Sequence, residues 1–223
     1  MPKPDFWKNN KRYYDLKSYW RNLFGCNVHK LQIDAGFTCP NRDGRVARGG
    51  CIYCDGRGSK LRQKGELPSI ARQIQSGKKF YKPHASKFVA YFQTFTNTYA
   101  PVEKLRSLYD EALAQEDVIG LSIGTRPDCV DSEIINLLSG YAQKHHIWLE
   151  LGLQSMHDKT LQFINRGHNF QQFVDALFQR REVIRDAPSE LLSIRGELDP
   201  ADQIRRSLEL DVDFRREGPL DRI

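Results

Sequence analysis

The chain has no apolar run approaching the roughly 20 residues that a membrane-spanning helix requires. Its opening stretch, MPKPDFWKNNKRYY, is polar and basic, so neither a span nor an export signal is expected. Cysteine is scarce. Five thiols in 223 residues is an odd number, and without an export signal a disulfide framework is not expected either. The expected compartment is a reducing cytoplasm. Lysine is missing after Lys159, and from residue 181 onward Phe214 is the sole aromatic. That final stretch, 181–223, holds eight Arg against eleven Asp and Glu, so residues 1–180 carry +9 while the whole chain carries +6. These shifts set an expected boundary near residue 183, with a core over 1–183 and an atypical polar tail over 184–223, read as frameshifted or disordered. The net positive charge is a mild bias toward polyanions, and ordinary solubility accounts for it equally well.

What is present is a regular alternation. Helical spacing over Leu16, Tyr19, Trp20, Leu23 and Phe24 stops at Gly25. Strand patterns cover 28–36, 87–95, 118–125 and 147–155, and helical patterns cover 70–80, 101–115, 132–144, 159–165 and 170–180. Strands alternating with helices predict right-handed βαβ units and an α/β fold around a parallel sheet. In such folds chemistry collects where strands end. Each unusual segment lies there: CPNRDG after the first strand, QTFTNT after the second, GTRPD after the third and LQS after the fourth.

Three of the five cysteines fall within CPNRDGRVARGGCIYC, as Cys39, Cys51 and Cys54, with the spacing C-x11-C-x2-C. Three readings are open. A structural zinc site needs a fourth ligand, and neither His29 nor His84 stands at ligand spacing. A thioredoxin-like pair would use Cys51 and Cys54 and leave Cys39 idle. An iron–sulfur cubane held by three thiolates leaves one iron free for an outside ligand. Gly44, Gly49 and Gly50 would let the loop wrap closely around an inorganic core. Tyr53 offers either a face for a purine or ordinary packing. Cys26 and Cys129 show no partner pattern, and His145 and His146 read as a solvated turn.

The segments DAGFTCPNRDGRVARGGCIYC, AYFQTFTNTYAP, GLSIGTRPDCV and WLELGLQSMHDKTLQFINRGH together resemble the radical S-adenosylmethionine (SAM) superfamily. Within it they are similar to a bacterial stand-alone family related to the Elongator catalytic subunit. The resemblance covers roughly residues 12–180. It implies a partial (β/α)6-type barrel, a [4Fe-4S] cluster on Cys39, Cys51 and Cys54, and reductive cleavage of S-adenosyl-L-methionine to a 5′-deoxyadenosyl radical. It assigns Tyr53 to the adenine and Glu150 with Gln154 to the ribose. Arg166 falls to the carboxylate of SAM, and Gln93 and Thr94 stand where relatives present Gly-Gly-Glu to its amino group. Arg126 and Asp128 would line the substrate side or form a structural ion pair, and His168 would hold its loop. No catalytic residue is assigned. The implied partners are tRNA, modified at a wobble uridine, and an electron donor such as flavodoxin or ferredoxin.

After residue 183 the resemblance breaks off, since the tail shows no clear β-run. The expected architecture is therefore an incomplete barrel of about four βα units. A non-catalytic or defective cysteine-cluster binding module, holding iron–sulfur or zinc, is the alternative function.

Overall fold

A computed structural model of the chain describes residues 15–56, 66–183 and 192–196, with side chains of 179–183 and 192–196 left aside. Helix α1 (Leu16–Phe24) leads into β1 (Val28–Ile33), α2 (Ile70–Tyr81), β2 (Lys87–Phe92), α3 (Val102–Leu113) and β3 (Val118–Thr125). Then follow α4 (Ser132–Ala142), β4 (His146–Leu151), α5 (Asp158–Phe163), α6 (Phe170–Val183) and β5 (Leu192–Gly196). The five strands are parallel and stand side by side in chain order. Because each new strand joins the same edge, all crossover helices fall on one face and the sheet curls toward a barrel.

The two faces differ in chemistry. Leu31, Phe92, Leu121, Ile123, Leu149 and Leu151 face the helices in one continuous core with Ile74, Leu105, Tyr109 and Phe173. The alternate residues Lys30, Tyr91, Ser122, Trp148 and Glu150 share the other face. There the Lys30 ammonium, on β1, ion-pairs with the Glu150 carboxylate, on β4. Side chains stand roughly perpendicular to a sheet, and strands lie about 4.8 Å apart. A pair reaching across four strands therefore requires a curved sheet, and this face is the barrel interior.

Helix α1 closes one end of that interior. Asp15 caps it, accepting from Ser18 N–H at 2.7 Å, and Gly25, at φ 67°, ends it. Tyr19 and Trp20 stack on Trp148 with ring centroids 5.8 and 5.4 Å apart. Trp20 and Trp148 bury with Val28, Val89 and Ile119 at the strand beginnings. Burying each indole contributes about 2–3 kcal/mol.

Three expectations are corrected. The tail does supply a strand: β5 pairs in parallel with β4 from Ile147↔Leu192 to Leu151↔Gly196. The sheet therefore runs past the expected boundary at 183 and past four strands. The segment LSIRG is short and weak in strand propensity, but the open edge of β4 offers it a row of unpaired backbone donors and acceptors. The rest of the expected tail lies outside the described residues. Second, the strands end earlier than the apolar pattern suggests, at Ile33, Phe92 and Leu151. Phe95 (φ 62°) and Gln154 (φ 76°) enter left-handed backbone, which cannot continue a ladder. Third, His146 is no solvated turn. It opens β4, is buried, and meets the Phe24 ring edge-on at 5.4 Å.

Candidate functional site

At the end of the barrel opposite α1, the segments following the strands are joined by hydrogen bonds. Thr96 N–H donates to Thr38 O at 3.2 Å, Asn97 N–H to Gly124 O at 3.2 Å, and Gly152 N–H to Thr125 O at 3.0 Å. Arg166 then donates from Nη2 to Gly152 O at 2.6 Å and from Nη1 to Cys51 Sγ at 3.6 Å. The series so runs from the segment after β1 to the segment after β4 and returns to the cysteine loop.

The loop itself wraps on Asn41 and Arg42. Cys39 O accepts from Arg42 and Asp43 N–H, and Cys51 O accepts from Cys54 N–H at 2.9 Å. Asn41 Nδ2 donates to Cys51 Sγ, and Arg42 Nη1 donates to Cys54 Sγ, both at 3.5 Å. Two glycines are required here. Gly50 has φ 83°, and a Cβ on it would stand 2.6 Å from Arg42 Nη1. Gly167 has φ 78°, and a Cβ there would meet Asn41 Oδ1 at 2.2 Å. Either addition would displace the donor aimed at a sulfur.

All three loop thiols face positive charge or donors. Burial pushes the Cys51 thiol up, but hydrogen bonds from Arg166, Tyr53 and Asn41 outweigh it and hold the thiol below its ordinary range. Cys54 has Arg42, and Cys39 lies within electrostatic reach of Arg126. Cys129, in a short 3₁₀ turn at Pro127–Cys129, contrasts with them, because burial pushes its thiol up to about 12. Cys26 packs beside the α1 cluster at the far end.

Among the described residues no three His, Cys, Asp or Glu side chains converge closely enough to hold one metal ion. His29 and His84 lie near each other at the strand beginnings, and His29 stacks on Tyr81 at 3.7 Å, away from the cysteines. Neither offers the fourth ligand of a zinc site. A cubane makes a different demand, since each thiolate takes its own iron corner and the three need not meet at a point.

The remaining sequence-derived candidates divide. Tyr53 is 54% exposed and its hydroxyl bonds to Cys51, leaving the ring outward beside the loop. Arg166 is buried and held by a neutral His168, whose Nε2 accepts from Arg166 Nε at 3.0 Å while Nδ1 faces Asn169 O at 3.2 Å. Burial and the adjacent Arg166 lower the His168 pKa to about 4. Thr94 is 1% exposed and its Oγ1 has no hydrogen-bond partner. It lines, with Gln93, Tyr91, Lys30 and Gln32, a cavity of about 540 Å³. Glu150 is held by Lys30 and by Ser122, whose Oγ donates at 2.7 Å. Burial raises its carboxyl, but those bonds prevail and keep it below the usual carboxylate range.

Gln154 departs from expectation. The strand stops at Leu151, so alternation does not put Gln154 beside Glu150, and it lies exposed in the following segment. Arg126 and Asp128 form a bidentate pair at 2.9 and 2.7 Å, and Arg126 Nη1 also donates to Arg166 O at 2.7 Å. That geometry is structural. Sequence reasoning missed Asn41 and Arg42 as sulfur donors, although both stand within three residues of the first cysteine, where a wrapped loop must supply its own hydrogen bonds. It also missed Lys30, a lone charge on the inward-facing positions of an apolar strand.

Comparison with known sequences shows the family. The sequence profile of the radical SAM superfamily matches residues 41–208. YtqA of Bacillus subtilis (strain 168), described as uncharacterized, is 41% identical over 174 residues, covering 77% of this chain and 54% of that protein. Protein YhcC of Escherichia coli (strain K12) is 47% identical over 148 residues, covering 66% and 47%. The chain thus spans about half the length of these curated relatives. Among solved structures, the cobalamin-dependent SAM radical enzyme OxsB, with aqua-cobalamin and S-adenosylmethionine bound, aligns at TM-score 0.48 and 14% identity, covering 82% of this chain and 26% of that one. With a profile match spanning most of its length and the cysteine loop at the open end of a curved parallel sheet, the chain belongs to the radical SAM superfamily.

Proposed function

We propose that the chain holds a [4Fe–4S] cluster on Cys39, Cys51 and Cys54 and binds SAM against it, as the cofactor-handling part of a radical SAM enzyme. The observation that carries this reading is the set of donors on the loop thiols: Arg166 and Asn41 on Cys51, Arg42 on Cys54 and the Arg126 charge near Cys39. Such donors stabilise thiolates and offset the negative charge of a thiolate-bound cluster. When bound, the cluster supplies the one electron that splits SAM into methionine and a 5′-deoxyadenosyl radical.

The chain's own residues orient and shelter. The unpartnered Thr94 hydroxyl and the Gln93 amide at the end of β2 offer acceptors for the SAM ammonium group. Arg166 is fixed by His168 and Gly152 O, and its charge would hold the SAM carboxylate. The exposed ring of Tyr53 offers the adenine an apolar face. Glu150 stays ionised on the barrel interior, where it would accept from a ribose hydroxyl, while Lys30 neutralises its charge. Gln154 serves at the rim. For the substrate, the resemblance of the sequence to the Elongator-related family supports tRNA, at a wobble uridine, and the charge of +9 on residues 1–180 is compatible with it.

The rival reading, a zinc-bearing or inert module, is disfavoured by the absence of a converging ion site among the described residues and by β5, which completes more of the sheet than a four-strand remnant would. Anaerobic reconstitution with iron and sulfide separates the two. We expect about four irons per chain, formation of 5′-deoxyadenosine from SAM with dithionite, and loss of both in Cys51→Ala. A colourless chain that takes up zinc in place of iron would refute the proposal. A salt-dependent gel shift with bulk tRNA tests the substrate.

A further inference from the structure

Along the inward-facing positions of β1 to β4, Lys30 and Glu150 are the sole Lys, Arg, Asp or Glu. Both are largely shielded from water, so each charge needs the other. The Glu150 carboxylate collects donors from three strands. They are the Lys30 ammonium on β1, the Tyr91 hydroxyl on β2 and the Ser122 hydroxyl on β3, the last at 2.7 Å. The ammonium is fixed in turn, 4.1 Å from the centre of the Tyr91 ring and 5.1 Å from that of Trp148. A carboxylate offers about four lone-pair sites. The chain's own donors take three and leave room for a hydroxyl from outside.

Space for such a group stands beside the carboxylate. The register partners of Glu150 are Gly124 on β3 and Arg195 on β5. Gly124 does not adopt the positive φ that favours glycine. A Cβ built on it would meet Phe92 O at 3.4 Å and Gln93 Cα at 3.8 Å, which are ordinary contacts. Apart from its two chain neighbours, no side chain among the described residues comes within 4 Å of that point. Gly120, on the same face of β3, is the contrast, because a Cβ there would stand 1.9 Å from His146 O. Packing requires glycine at 120. Neither packing nor backbone requires it at 124, where the missing side chain leaves open space next to Glu150.

We infer that Lys30 is a positioning residue for the ribose of SAM, acting through Glu150, and that Gly124 leaves the room the ribose takes. The inference rests on the radical SAM reading above. Lys30 keeps the carboxylate ionised and, with Tyr91 and Ser122, holds it in one orientation. A sugar lacking the matching hydroxyl would leave that acceptor unpaired, which a site of this kind penalises. Without the ammonium, burial raises the carboxyl, and as pH falls a growing share of Glu150 changes from acceptor to donor. The other titratable side chain on the inward positions of these strands, besides Tyr91, is His146, buried at the sealed end.

The test is equilibrium dialysis on the full, cluster-loaded chain without reductant, so that SAM binds and is not cleaved. The probes are SAM and its 2′-deoxy and 3′-deoxy analogues. Wild type should bind at least one analogue about tenfold more weakly than SAM. Lys30→Met should bind SAM about tenfold more weakly and separate it from that analogue by no more than about twofold. Between about pH 7 and 5.5 its affinity should fall severalfold while that of wild type stays level. Gly124→Ala should also bind SAM about tenfold more weakly, with a thermal midpoint equal to or above that of wild type. Lys30→Met that keeps the wild-type preference, or Gly124→Ala that binds SAM as wild type does, overturns the inference and leaves the radical SAM reading standing. So does a wild type that binds SAM and both analogues alike. Wild type that binds no SAM overturns the radical SAM reading, and carbon-13 NMR of the glutamate carboxyls then decides the positioning. The Glu150 signal, assigned by its loss in Glu150→Gln, should titrate at higher pH in Lys30→Met than in wild type, and an unchanged titration overturns the role of Lys30.

Discussion

The two ends of one curved sheet are built from opposite materials. At the strand beginnings α1 seals the interior with stacked indoles, packed against Val28, Val89 and Ile119. At the strand ends no such plug stands among the described residues. Buried polar oxygens stand without partners there, at Asn41 Oδ1, Thr94 Oγ1 and Asn97 Oδ1, and buried arginines are held by carbonyls, a carboxylate and sulfur. An unpartnered buried polar atom costs about 1–3 kcal/mol. Trp20 Nε1, at the sealed end, also lacks a partner. What sets the open end apart is that its orphaned atoms are oxygens able to accept from a ligand, on segments that follow the strand ends.

The largest effect should come from breaking the sealed end. Trp148→Ala removes the ring on which Tyr19 and Trp20 stack, and should cost about 3–5 kcal/mol in chemical denaturation. Iron uptake by the protein that remains folded should be unchanged. Iron uptake falling in parallel would show that the two ends are not independent.

Next in size is a pH effect at the open end. His168 is neutral in the fold, with its pKa lowered from 6.5 to about 4, so the unfolded chain binds more protons between those values. Stability is therefore fully present above pH 6.5 and is lost as pH falls toward 4, by on the order of 2 kcal/mol. Thermal melts across that range should show the slope, and His168→Gln should flatten it. Glu150 acts lower down. Its folded pKa lies below the ordinary carboxyl value of 4.5, so its contribution disappears only as pH falls beneath that value, and Glu150→Gln should leave the upper slope intact.

Smaller still is the tie between the ends. Lys30→Met leaves Glu150 without its ammonium partner in a partly exposed setting, and should cost about 1 kcal/mol by urea denaturation. The smallest effect is the sharpest test of the contrast. Thr94→Val replaces an unpartnered buried hydroxyl with a methyl, so it should leave stability unchanged or raise it by about 1 kcal/mol while weakening SAM binding severalfold in calorimetry. A clear loss of stability would mean that Thr94 is already satisfied within the fold.

Much of this contrast was readable from the sequence, for definite reasons. The order of strands and helices follows from periodicity, which burial on the two sheet faces enforces, and the α1 stripe follows from the spacing of Leu16, Tyr19, Trp20 and Phe24. The cysteine spacing located the open end. Strand β5 was not legible, because Leu192–Gly196 pairs through its backbone with an edge the sequence does not display. Gln154 was misplaced because a left-handed residue, which ends alternation, leaves no mark in an apolar pattern. Asn41 and Arg42 were overlooked because their donors act across a folded loop, where the partners are known only once the glycines set its path.

The loop around the cysteines is sheltered by a segment translated far later: Asn165, which grips Gly50 O and whose own carbonyl accepts from Asn41, lies 115 positions beyond that glycine. A nascent chain therefore shows its thiols to the cell long before their cover has been synthesised. The loop can take its final path only once α5 and the turn that follows it have been made.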